Sequence, residues 1–141
     1  MKTLLDTMVI AYALERKDAL GDWARNIVAQ AVAGDGALVN PISVAEAMVG
    51  AEDPETITPD LELLGVDVCP LPQASAKPAA LAYLSYLQKS KDAGERNKTP
   101  LPDFFIGAHA ATAGLAVATN DKRRFKTYFK SVPLVLPPAA G

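Results

Sequence analysis

The chain has 141 residues, half of them apolar and 21% charged, with a net charge of −2. A chain of this length buries roughly 70% of its unfolded surface, so it needs no disulfide or metal to fold. The balance of charge excludes a generic nucleic-acid binder that is basic throughout, and the single cysteine excludes an internal disulfide or a Cys-rich zinc site.

The N-terminal MKTLLDTMVIAYALE opens with a short strand, KTLLD, and continues as a helix with Val9, Ile10, Ala13 and Leu14 on its apolar side. It does not read as a signal peptide: Asp6 interrupts the apolar run and no small-residue cleavage site follows. No apolar run is long enough to span a bilayer, so a cytoplasmic protein without a membrane partner is expected. A second helix is expected from about Asp22 to Ala33, stopping at Gly34-Asp35-Gly36. ALVN is a second strand and SVAEAMVGA a helix. DPETITPD reads as a loop followed by at most one helical turn. VDVCPL is a third strand, in which Cys69 reads as a small buried hydrophobe. Residues 74–90 are helical, with Leu81, Leu84 and Leu87 on one side. KDAGERNKTP is a polar loop, and LPDFFIGAHAA a helix beginning at its prolines. LAVAT is a fourth strand, KRRFKTYF a short helix, and VPLVL, which carries a proline, a final edge strand.

Strands alternating with helices predict an α/β fold: one domain over residues 1–141, with a mainly parallel sheet and helices on both faces. In such sheets a ligand site lies beyond the carboxyl ends of the strands. Four acids fall at that kind of place. Asp6 follows the first strand, Glu46 lies one turn into the helix after the second, Asp103 opens the helix before the fourth, and Asp121 follows the fourth. Each also has an ordinary local use. Asp6 suits a helix cap, as do Asn120 and Asp121. Ser43-Val44-Ala45-Glu46 matches a capping box. Asp103 is favoured by the helix dipole. If the four converge, their mutual repulsion demands a cation or raised pKa values; like charges ~4 Å apart cost ~4 kcal/mol at an effective dielectric of 20. An all-oxygen set suits Mg²⁺ or Mn²⁺ rather than zinc. His109, about 120° around its helix from Asp103, is a poor co-ligand and reads as a packed side chain.

Charge is unevenly spread. Residues 1–88 carry 12 acidic and 5 basic side chains; residues 89–141 carry 4 acidic and 9 basic. The basic residues form two groups, Lys89, Lys91, Arg96 and Lys98, then Lys122, Arg123, Arg124, Lys126 and Lys130. They serve either as a solvated surface or as one face presented to phosphates.

The segments LLDTMVIAYAL, NPISVAEAMVGA, LPDFFIGAHAATAGLAVATND and KRRFKTYFKSVPLVLP carry a family resemblance from end to end of the chain. It resembles the PIN-domain ribonucleases, and among them the toxin component of bacterial VapBC toxin–antitoxin systems. The resemblance implies that Asp6, Glu46, Asp103 and Asp121 are the metal-binding and catalytic acids, with the Thr7 and Thr119 hydroxyls supporting them. It implies Mg²⁺, with Mn²⁺ as a substitute, an RNA substrate, a VapB-type antitoxin whose C-terminal segment wraps the toxin, and a homodimer. Water activated by metal would attack the phosphodiester in line, leaving a 5′-phosphate and a 3′-hydroxyl. Asp6 or Asp121 would orient or deprotonate that water. Lys98, Lys122, Arg123 and Arg124 would hold flanking phosphates.

Other readings differ in their acids. A response-regulator phosphoacceptor needs paired acids after the first strand and an acceptor Asp after the third, and a haloacid-type phosphohydrolase needs Asp-x-Asp. Asp6-Thr7-Met8 and Cys69-Pro70-Leu71-Pro72 fit neither. A PIN-like nuclease for RNA processing outside a toxin–antitoxin pair, and a PIN-like scaffold that binds RNA or protein without cutting, both stay open.

Overall fold

Strands of two or three residues suffice here because successive side chains leave on opposite faces of the sheet. In the computed structural model, which describes residues 1–95 and 99–138, strand β1 (Thr3–Leu5) sends Leu4 into one core and Leu5 into the other. The other strands are β2 (Ala37–Val39), β3 (Asp67–Val68), β4 (Ala116–Ala118) and β5 (Leu134–Val135). They form one sheet in the order β3-β2-β1-β4-β5, with every pairing parallel. β1 sits in the centre, with Thr3 level with Ala37 on one side and Ala116 on the other.

Each parallel connection needs a crossover, and helices supply it. On one face, α1 (Thr7–Glu15), α2 (Ala19–Ala33), α3 (Pro41–Gly50) and α4 (Ile57–Leu64) pack Val9, Ile10, Trp23, Ala24, Val28, Ala47, Ile57 and Leu61 against Leu5, Val39 and Ala118. On the other, α5 (Ala76–Asp92), α6 (Phe104–Ala113) and α7 (Lys122–Tyr128) pack Ala79, Ala82, Phe104, Ile106 and Phe125 against Leu4, Leu38 and Val117. The expected α/β fold, mainly parallel sheet and two covered faces are all present. Among the described residues no helix is long and apolar enough to cross a membrane.

Several elements differ from expectation. α2 starts at Ala19, because Asp18 caps it by accepting from the Gly21 N–H. The DPETITPD segment holds more than a loop: a 3₁₀ turn at Pro54–Thr56 leads into α4. Pro59 lies in the first turn of α4, where N–H groups have no helical partner to lose, and Ile57 and Leu61, one turn apart, anchor the helix in the core. The leucines of α5 do not form its buried side. Ala79 and Ala82 are buried, whereas Leu81 and Leu84 are 57% and 62% exposed. The small alanines admit close approach, and Tyr83 and Tyr86 join an aromatic cluster around Phe104, each 5.2 Å from its ring. Cys69 is half-buried, lying over the second core.

Candidate active site

Asp6 leaves the carboxyl end of β1 and caps α1, its Oδ1 accepting from the Thr7 N–H at 2.9 Å. It is buried, at 6% exposure. Its Oδ2 accepts from the Thr119 hydroxyl at 2.7 Å and from Arg124 Nη2 at 3.2 Å. Thr119 follows β4 and also accepts, through the same oxygen, from the Asp121 N–H at 2.9 Å. One hydroxyl thus ties the loop holding the fourth acid to the side chain of the first. Asp121 caps α7 by accepting from the Arg124 N–H, and its Oδ2 lies 3.1 Å from Arg124 Nη1. Of the two candidate caps in that loop, Asp121 and not Asn120 takes the role.

Glu46 is not part of a capping box. α3 begins one turn earlier than that motif requires, with Pro41 in its first turn and Asn40 as the cap, accepting from the Ser43 N–H at 3.2 Å. The Glu46 carboxylate is therefore released from the backbone. Its Oε1 is 2.8 Å from the Thr7 hydroxyl, which also lies 3.0 Å from Ser43 Oγ. With one proton to give, Thr7 gives it to the carboxylate.

Asp103 closes a 3₁₀ turn, Leu101–Asp103, immediately before α6, and its side chain makes no capping bond. A simple cap role does not account for it. Its pKa is raised, first by burial and then by the negative charge of Glu46. The Asp6 pKa is also raised, by burial, against the opposing pull of Arg124 and of its hydrogen bonds. All four acids line one cavity of about 270 Å³, together with Thr7, Met8, Asn120 and Arg124. Four segments far apart in sequence meet there because their strands are parallel neighbours.

Arg124 is the feature that the sequence reading placed elsewhere. Its guanidinium is 15% exposed and bridges Asp6 and Asp121, with Nε buried and without a partner. The signal was the spacing: residue 124 lies three positions after the helix cap, on the cap's own face. Lys122 and Arg123 are exposed, and Arg123 lines a neighbouring cavity. Lys98 and Arg96 lie outside the described residues. His109 is fully buried and does not reach the acids. Its Nδ1 is 3.2 Å from Asn40 Nδ2 and its Nε2 3.9 Å from Cys69 Sγ. Burial lowers its pKa; the neutral ring braces the cap of α3, which carries Glu46.

The oxygen donors suit a hard divalent cation in type. Among the described residues, however, no three His, Cys, Asp or Glu side chains are gathered into a ready-made metal site. The cationic place is taken by Arg124.

The sequence profile of the PIN domain matches residues 3–130. The chain belongs to the PIN-domain family. That family consists of nucleases, and this PIN domain has solved relatives of the same fold. VapBC2 from Rickettsia felis, bound to a DNA fragment from its promoter, is 17% identical, with a TM-score of 0.65 and coverage of 96% of this chain and 98% of that one. DNA-bound VapBC from Salmonella typhimurium is 19% identical, with a TM-score of 0.67 and coverage of 98% and 99%. FitAcB from Neisseria gonorrhoeae is 23% identical, with a TM-score of 0.63 and coverage of 96% and 97%. No curated protein matches the chain at a significant level.

Proposed function

We propose that this PIN domain is a Mg²⁺-dependent endoribonuclease, the toxin of a VapBC-type pair, acting in the cytoplasm on RNA. One observation carries the reading: Asp6, Glu46, Asp103 and Asp121 line a single cavity at the carboxyl edge of the sheet. They would hold Mg²⁺ or Mn²⁺. Bound there, the cation supplies an activated water and takes up charge on the scissile phosphate.

The chain's own residues do the rest. Thr119 and the Thr7 N–H fix both oxygens of Asp6. Thr7 fixes Glu46. Asp6 or Asp121 would orient the attacking water or accept its proton. Arg124, which pairs with Asp6 and Asp121 here, would be free to hold the phosphate once those carboxylates had another counter-charge, with Lys98, Lys122 and Arg123 beside it. The products are a 5′-phosphate and a 3′-hydroxyl.

Two of the solved structures are VapBC by name, which supports a VapB-type antitoxin as partner. An arginine or lysine from that partner would pair with the acids as Arg124 does, and a homodimer would be the working unit.

The deciding experiment is cleavage of a total RNA pool by purified protein with Mg²⁺, with EDTA and with Asp6→Asn. Discrete new 5′ ends that need both metal and Asp6 are expected, with the variant at least about 100-fold slower. RNA left intact by every protein, with antitoxin shown to be absent, rejects the nuclease. The Arg124 bridge favours a second reading, a PIN fold that binds RNA without cutting it. Calorimetric titration with Mn²⁺ separates the two, since the scaffold gives no heat. A short reading frame directly upstream separates the toxin from a processing nuclease.

A further inference from the structure

Beside the acidic cavity lies a second one, of about 560 Å³, and the two share Asp121 and Arg124 as a common wall. The reaction proposed above makes no use of its floor. That floor is aromatic: Tyr86 on α5 and Tyr128 on α7, both half-buried. Tyr128 is held edge-on by Tyr86, with ring centroids 6.2 Å apart at 80°, and by Phe104, at 5.5 Å and 64°. These contacts fix the plane of its ring. The Lys89 ammonium sits 4.9 Å over that ring, a cation–π contact on one face of Tyr128. Lys89 and Arg123 on the rim are both exposed, and Thr127 adds a hydroxyl that donates and accepts.

The occupant these groups fit has a flat π-face, an adjoining negative charge and a polar edge. An acidic peptide satisfies the cations but gains little from a fixed ring face. A nucleotide uses both, since base stacking on aromatic side chains and backbone contact to Lys and Arg are the two sources of single-strand binding. We propose that this cavity is a nucleobase subsite. It takes one base of the RNA strand beside the scissile phosphate, stacked on Tyr128, while Lys89 and Arg123 hold that nucleotide's phosphate. Lys89 moves from the ring to the phosphate as the base enters. The shared wall of Asp121 and Arg124 puts the subsite next to the acids, so base choice here would set which bond reaches them. The inference rests on the nuclease reading and adds a specificity determinant to it.

The test is fluorescence anisotropy with labelled short single-stranded homopolymers of A, C, G and U. It is run in the Asp6→Asn background, in which the RNA stays whole. Tyr128→Leu, which fills the aromatic cluster without a ring, is expected to weaken binding roughly five- to a hundredfold and to flatten the differences between homopolymers. Tyr128→Phe keeps the ring and is expected to bind like the parent. Lys89→Ala is on the surface and folds whatever the fate of the leucine variant; it is expected to weaken binding and to lower the salt slope by about 0.7. Unchanged binding by Tyr128→Leu and Lys89→Ala, with cleavage by the wild type intact, overturns the subsite and leaves the nuclease standing. Failure of the wild type to cut RNA with Mg²⁺ or Mn²⁺ overturns both.

Discussion

Arg124 holds the place that a metal is proposed to take. It pairs with Asp6 and Asp121 while its own Nε lies buried and unmatched. Two consequences follow for Arg124→Ala. The metal-free protein loses a partly buried pairing and melts lower, because Asp6 is left desolvated without its cation. Mn²⁺, no longer in competition, binds more tightly, by roughly tenfold on the scale of ordinary coupling energies. Calorimetry reads both, and equal Mn²⁺ affinity in wild type and variant would show that the guanidinium does not compete. Asp103 gives a second handle through pH. Its folded pKa is raised, so the folded state holds this proton more firmly than the unfolded chain does. The cost of its charge is absent below the unfolded carboxylate range and grows as pH rises through the raised value. In the absence of metal, Asp103→Asn is therefore expected to raise the melting temperature at neutral pH and to leave it unchanged near pH 3, where both side chains are neutral. A less stable asparagine variant at neutral pH would refute the assignment.

At the level of elements, the order of strands and helices was legible because the short apolar runs and their Gly and Pro punctuation are local signals. So was the edge to which the acids belong, since it follows from parallel connection alone. What was not legible depends on partners far along the chain. Whether Ser43 or Asn40 caps α3 is decided in part by His109, which lies 69 residues from Asn40 and holds its amide. The buried side of α5 is set by Phe104, a residue of another helix, which draws in Tyr83 and Tyr86 and leaves Leu81 and Leu84 outside. The direction of the Arg124 side chain could not be inferred from a run of basic residues. α6, the helix behind Asp103, depends on one close approach. A Cβ on Gly107 would run into the ring of Phe129. Gly107→Ala gains helix propensity of about 1 kcal/mol but forces the ring aside, an overpacking cost of typically 1–3 kcal/mol. Net destabilisation of up to about 2 kcal/mol is expected in urea melts, with weaker Mn²⁺ binding as Asp103 shifts. A stabilised variant would show that Phe129 yields freely.

For the whole molecule, the charge asymmetry matters more than the net charge. The basic last part carries the exposed Lys122 and Arg123 side chains next to Asp121, which lines the acidic cavity. RNA affinity is accordingly expected to fall with salt at a slope of about −2 for three phosphate contacts on a single strand. Between about 50 and 200 mM salt that is a loss of roughly tenfold to twentyfold, measurable by anisotropy with Asp6→Asn. A flat salt response would remove Lys122 and Arg123 from the binding surface.

The central pairing of β1 with β4 has a kinetic meaning as well. Thr119 reaches Asp6 across 113 residues and Arg124 across 118. Contacts of such separation are costly to close and come late in folding. Asp6 is synthesised well before Asp121. A nascent or half-folded chain therefore carries carboxylates but no assembled cutting centre. On the proposed reading, RNA cleavage would begin only when the chain's late strand docks against its first, and the wait before that moment would be time in which a neutralising partner could arrive.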